Sequence, residues 1–347
     1  MPARQRIVQE IAQRGGWIPF ARYMELALHA YYAGGAPKFG SAGDFVTAPE
    51  LGPLFGRTLA RFLNDLNFPS ILELGAGTGK LAETLLGELD CEYFILETSD
   101  ALRERQRERL GDRVTFLDRL PERFRGLILA NEVADALPVH LVAWTAQGIM
   151  ERGVRVEAGE FAWEERSAAG ELLKEAGKIE VPAPYVSEIG LAARAWMRSL
   201  VASLEQGVIL VIDYGFPRRE FYHRQRATGT LMCHYRHRAH ADPFAHPGEE
   251  DITAHVDFSA LAEAAREAGG DVLGYATQAQ FLVNCGITEV LEQANAENAL
   301  HYAPIAAQAQ KLLSPAEMGE LFKVLAVGRG ETPPLAGFSR GERSHSL

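Results

Sequence analysis

The residues Ser70 to Leu81 (SILELGAGTGKL) constrain the fold more than any other part of the chain. Ile71, Leu72 and Leu74 form a short apolar run around Glu73, and glycines follow at 75, 77 and 79. The next residues, KLAETLLGEL, carry helical spacing. The order predicts a buried strand, a tight turn and a helix start. Glycine lacks a Cβ, so the turn can adopt positive φ and let a ligand come close to the backbone. The helix behind it presents unpaired N–H groups to a carboxylate or phosphate. Two common uses of such a turn do not fit. In the phosphate-binding loop G-x-x-x-x-G-K-[ST], Leu74 would replace the first glycine and Leu81 the Ser/Thr. In the dinucleotide fingerprint G-x-G-x-x-G, Gly75 and Gly77 fit but Lys80 stands at the third glycine. The pattern that remains is E-x-G-x-G-x-G, from Glu73 to Gly79.

Further strands end in acids. Glu92 to Glu97 (EYFILE) reads as a second parallel strand, and Glu97 lies 18 residues past Gly79. That is close to the offset at which a carboxylate meets ribose hydroxyls in doubly wound folds, and a carboxylate can accept both hydrogen bonds of a vicinal diol. A charged helix over 100–110 and a short strand, RVTFL, lead to Asp118, which is expected near an adenine edge. Leu127 to Ala130 is apolar and runs into Asn131-Glu132-Val133-Ala134-Asp135-Ala136-Leu137-Pro138. Ligands of open α/β sheets sit beyond the carboxyl ends of the strands. Asn131, Glu132 and Asp135 should therefore share a crevice with the glycine turn and Glu97, although Asp135 has the alternative of capping a short helix. Pro138 limits such a helix to little more than one turn. Gly207 to Asp213 brings another acid to the same edge, and strands over 270–276 and 322–327 complete the set. Alternating strands and helices predict an α/β fold with a parallel sheet covered on both faces, its last strand antiparallel.

The remaining segments elaborate this plan. Helices over 3–33 and 52–66 form an N-terminal cap (1–66), joined by a turn-rich loop that holds Asp44, Thr47 and Glu50. The sheet domain spans 67–330 with insertions at 140–188, 214–256 and 278–318. The first insertion alternates as hairpins do, and the second holds His223, His234, His237, His240, His246 and His255. The His-x-x-His pairs there have no cysteine or carboxylate at a usual zinc offset, so no metal site is expected. The tail 331–347, rich in Pro, Gly and Ser, is expected to be disordered. A net charge of −11 argues against nucleic acid and anionic membranes as partners and suits a cationic one. The three scattered cysteines argue against a disulfide framework. No targeting segment or membrane-length apolar run is read, which sets a cytoplasmic expectation.

The E-x-G-x-G-x-G turn resembles motif I of the class I S-adenosylmethionine (SAM) methyltransferases. GDFVTAPELGPLFG (43–56), LELGAGTGKLA (72–82), ANEVADALPV (130–139), DYG (213–215), GTLMCHYRHR (229–238), PGEEDITAHVDF (247–258) and TQAQFL (277–282) extend the likeness over most of the chain. In these blocks the chain resembles the MidA-type methyltransferases, a group that includes mitochondrial complex I assembly factors. The resemblance implies a Rossmann-like methyltransferase sheet whose cap and insertions build the acceptor side. It implies SAM as cofactor, with Gly75, Gly77 and Gly79 cradling the methionine end, Glu97 at the ribose, and Glu73 orienting the turn or the SAM amino group. Asn131 joins the cofactor set. It implies transfer to a protein arginine, in a respiratory-complex subunit, with Glu132 and Asp135 holding the guanidinium and Asp44 or Asp213 assisting. A homodimer is the expected assembly. Two alternatives stay open: a small-molecule N- or O-methyltransferase, and a SAM-binding assembly factor with little catalysis.

Overall fold

The computed structural model describes residues 1–34, 47–293 and 299–347. Its centre is an eight-stranded sheet, seven strands in one path, β1 (Ser70–Leu74), β2 (Glu92–Leu96), β3 (Thr115–Leu117), β4 (Phe124–Asn131), β5 (Leu204–Phe216), β6 (Asp271–Thr277) and β7 (Phe322–Arg329), and the two-residue strand Val256–Asp257 paired parallel to the end of β5. The spatial order is β6-β7-β5-β4-β1-β2-β3. β7 runs antiparallel to β5 and β6, and the pairs β5–β4, β4–β1, β1–β2 and β2–β3 are parallel. The expected antiparallel last strand is therefore inserted between β5 and β6.

Successive strand side chains point to opposite faces, and both faces here are apolar. Ile71, Leu127 and Val208 pack on one side with helices Pro53–Leu66, Lys80–Glu88 and Gln278–Asn284. Leu72, Ile128 and Ile209 pack on the other with helices Leu191–Ser203 and Phe258–Glu267. Helix Pro53–Leu66 thus belongs to the sheet core, although its position in the chain had placed it with the cap. The true cap is the pair Ala3–Gln13 and Phe20–Ala33. Its Ile7, Ile11, Phe20 and Met24 pack against Leu141, Val154, Cys233 and Ile252 of the insertions.

The first insertion forms an antiparallel sheet in which His140–Thr145 lies between Gly148–Glu157 and Tyr185–Ile189; Gly148–Glu157 also pairs with Trp17–Pro19 and Glu160–Ser167. The second contributes a three-stranded sheet, Met232–Tyr235, Arg238–His240 and Asp251–Thr253. The tail is ordered, contrary to its composition. Phe338 is buried against Phe281, Asn284 donates to the carbonyls of Gly337 and Arg340, and the Arg343 N–H donates to the Tyr275 carbonyl at 2.7 Å. One aromatic anchor and the free edge of β6 hold a segment that is otherwise polar. Among the described residues, no helix is long and apolar enough to cross a membrane.

Candidate active site

A cavity of about 780 Å³ opens at the carboxyl edge of the sheet, within the roughly 300–1,000 Å³ of small-molecule sites. Its first wall comes from the glycine turn. Gly75, Ala76, Gly77 and Thr78 line it. Gly75 has φ +61°, and a Cβ there would meet Val133 Cγ2 at 3.2 Å. Gly79 does not line the cavity. It starts helix Lys80–Glu88 at φ +80°, and a Cβ would press on Leu110 at 3.3 Å. Its role is therefore close packing of two helices.

The acids of this wall are tied in place. Glu73 is buried and accepts from Tyr93 Oη at 2.7 Å; burial pushes its pKa up to about 7. Glu97 accepts from the Ser99 N–H at 2.9 Å and from Gln106 Nε2 at 3.1 Å. The same Gln106 amide donates to the Gly77 carbonyl at 2.9 Å, coupling the acid to the glycine turn. Both Glu73 and Glu97 line the cavity. Glu50, from the short helix Ala48–Leu51 that precedes helix Pro53–Leu66, accepts from Thr78 Oγ1 and pairs with Lys80 at 2.7 Å.

The second wall is the turn after β4. Glu132 sits at φ +53° without being glycine, a conformation that costs on the order of 1 kcal/mol and clusters at functional sites. Two groups impose it. The Glu132 N–H donates to the Ile212 carbonyl at 2.8 Å. The Asp213 carboxylate accepts from the N–H groups of Val133, Ala134 and Asp135 at 3.2, 2.8 and 3.2 Å. Asp213 is fully buried behind the turn and does not line the cavity. The expectation that it assists at the acceptor is corrected: its carboxylate is spent on backbone donors, which makes it a positioning residue.

Glu132, Asp135 and Asn131 line the cavity as expected. Glu132 accepts from the Ala48 N–H at 3.3 Å and from Asn131 Nδ2 at 3.2 Å. Burial and the nearby Asp135 push its pKa up to about 8. Asp135 accepts from Tyr214 Oη through Oδ2, and burial pushes its pKa up to about 6. Its Oδ1, and Asn131 Oδ1, are buried without a hydrogen-bond partner among the described residues. Unpaired buried oxygens next to a cavity are acceptors waiting for a donor from a ligand.

Two expectations end differently. Asp118 does not line the cavity; its side chain is 87% exposed and paired with Arg103 at 2.7 Å. The expected adenine contact is not made, because β3 is a short edge strand whose end faces solvent. Asp44 lies outside the described residues. Tyr32, Gln106, Tyr214 and His255 are site residues to which the sequence assigned no role, although Tyr214 and His255 fall within the DYG and PGEEDITAHVDF blocks. His255 lines the cavity, lies edge-on to Tyr214 at 5.3 Å, and is held neutral by burial, its pKa lowered to about 4.

Residues 54–276 match the model of a family described as "Putative S-adenosyl-L-methionine-dependent methyltransferase". The chain belongs to this family. A COG1565 superfamily member from Burkholderia thailandensis, solved bound to S-adenosyl-homocysteine, is 50% identical, with a TM-score of 0.95 over 99% of this chain and 96% of that one. A native crystal structure of a COG1565 superfamily protein from the same organism gives 51% and 0.93 over the same shares. The mitochondrial protein arginine methyltransferase NDUFAF7 homolog of Drosophila melanogaster is 28% identical over 93% of this chain and 86% of its own length. The NDUFAF7 of Xenopus tropicalis is 28% identical over 87% and 80%. The protein is thus a SAM-dependent methyltransferase, and the site fits that cofactor. A bare backbone turn runs into a helix N-terminus, a cavity-facing carboxylate stands at the end of β2, and Asn131 Oδ1 lacks a partner.

Proposed function

We propose that this enzyme methylates an arginine side chain of a protein. The observation that carries the reading is the pair Glu132 and Asp135, a half-buried and a buried carboxyl on one cavity wall with no cationic partner of their own among the described residues. An arginine guanidinium carries a charge that is never lost in water and a planar fork of donors that matches carboxylates. The names of the NDUFAF7 relatives support the same acceptor.

S-adenosylmethionine supplies a methyl group on a sulfonium that departs as a neutral thioether. The protein's own residues do the rest. The glycine turn and Glu97 would hold the cofactor end. Glu132 and Asp135 ionise as the guanidinium enters, fix its fork and aim one nitrogen at the methyl carbon. As the methyl group is transferred, one N–H proton of the guanidinium would pass to a carboxylate of the pair. Positioning and exclusion of water supply most of the rate. The Tyr214 hydroxyl keeps Asp135 oriented through the reaction.

The proposal extends to a respiratory-complex subunit as the acceptor, a homodimer as the assembly and the cytoplasm as the compartment. Tritiated SAM incubated with cell extract and enzyme tests the reaction. Label should appear in protein and, after acid hydrolysis, in methylated arginine. Label confined to small metabolites would overturn the arginine reading. Light scattering and cell fractionation test assembly and compartment.

A further inference from the structure

A second cluster lies on the opposite face of the three-stranded insertion sheet. Cys233 and His240 are direct cross-strand partners, and Glu250 immediately precedes strand Asp251–Thr253. One ligand atom each from Cys233, His240 and Glu250 falls within 4.8 Å of the others. Cys233 and Glu250 are fully buried, and the His240 side chain is 29% exposed. His240 Nε2 stands 3.0 Å from Glu250 Oε2. Neither that nitrogen nor either Glu250 oxygen completes a hydrogen bond among the described residues; the His246 N–H faces the carboxylate without reaching bonding geometry.

A fully buried carboxyl whose close partner is a part-exposed imidazole at 3.0 Å, in poor hydrogen-bond geometry and beside a thiol, is an expensive arrangement for an apolar core. It becomes a favourable one around a cation. Thiolate, imidazole and carboxylate together are the donor types of zinc, and of softer first-row ions generally, rather than of magnesium or calcium. Tetrahedral zinc with these ligands sets the donor atoms about 3.3–3.6 Å apart. The cluster needs to contract by only ~1 Å at its widest pair to reach that spacing. The exposed side of His240 leaves room for water as a fourth ligand.

We propose that Cys233, His240 and Glu250 bind one divalent cation of the zinc class. Alternation along the strand gives the site its purpose. Met232 and His234 line the methyl-transfer cavity, while Cys233 between them points into the cap. An ion there would lock the strand that forms part of the acceptor wall. Binding releases the thiol proton, as metal binding to cysteine does. The spacing Cys-x6-His-x9-Glu matches no usual zinc motif, and only the hairpin brings the three together.

The full chain, stripped with a chelator, loaded with zinc sulfate and desalted, should retain about one zinc per chain by mass spectrometry of the metal. Loading with cobalt(II) instead should give a sulfur-to-cobalt charge-transfer band in the near ultraviolet. Cys233→Ser should remove that band, and Glu250→Gln should weaken zinc affinity by at least ~100-fold while retaining the band. Calorimetric SAM binding within about twofold of wild type certifies the fold of each variant. Absence of retained zinc in the wild-type chain, or a cobalt band that survives Cys233→Ser, overturns the proposal. If a variant does not fold, wild-type stoichiometry and the cobalt spectrum still decide it.

Discussion

The two ends of the cavity are built in different ways. The cofactor end comes mainly from one run of chain, 73–106, in which β1, the glycine turn, β2 and helix Asp100–Leu110 are adjacent, with Glu50 joining it from outside that run. Its carboxylates are held by near neighbours: Glu73 by Tyr93, and Glu97 by Ser99 and Gln106. The other end, to which the proposed function assigns the acceptor, converges from Tyr32, the 131–136 turn, Tyr214, the second insertion and β7. There Asp213 holds a strained Glu132 in place across 81 positions of sequence. A chemically uniform grip on a common cofactor can be encoded locally. A variable acceptor pocket is assembled from distant loops on a fixed scaffold.

If the two ends are functionally separable, substitutions should affect one and spare the other. The largest effect is expected for Glu132→Gln. Methyl transfer in single turnovers should fall by ~10³-fold with SAM affinity unchanged by calorimetry; a variant that keeps full activity would remove Glu132 from the acceptor end. Glu97→Ala should do the reverse, weakening SAM binding by ~10–100-fold through the loss of charged hydrogen bonds to the ribose, while acceptor KM at saturating SAM stays near wild type.

The pH dependence sharpens the contrast. Glu132 and Asp135 have pKa values raised to about 8 and about 6, so kcat/KM should climb with pH across that interval as the pair ionises. Tyr214→Phe removes the hydrogen bond that lowers the Asp135 pKa. It should cut kcat/KM by ~10-fold and move the acid limb to higher pH, with SAM affinity intact. The same raised pKa values act on stability. A carboxyl whose folded pKa exceeds its unfolded one loses stabilisation as pH rises from the ordinary carboxylate range through the folded value. Glu132→Gln should therefore raise Tm by ~2–5 °C at pH 8 and leave it unchanged at pH 5, a modest gain because the group faces a wet cavity. Asp118→Ala should be the weakest change, within about twofold of wild type in SAM affinity, since its exposed ion pair with Arg103 is worth little.

The fate of individual residues follows the same division. Gly75, Gly77 and Glu97 were legible because strand, turn and acid recur at short fixed spacing, and each lines the cavity. Gly79 was legible as part of the turn but serves packing. Asp213 was visible as an acid at a strand end, yet that position alone did not say whether its carboxylate faces the cavity or the back of the β4 turn. Tyr214 stood beside it unassigned. Composition misleads at the tail because it averages over seventeen residues, and a single phenylalanine reaching Phe281 outweighs that average.

The sequence by itself determined the α/β alternation, the cofactor turn and the family, because the first two rest on periodicity or on residues close in the chain and the third on the order of recognisable blocks from 43 to 282. The tertiary structure decided which acids line the cavity, that Asp213 acts through the backbone, and that Cys233, His240 and Glu250 share one point in space. Those outcomes depend on strand order and on which way a side chain points across a sheet, and neither is written in the spacing of residues along the chain.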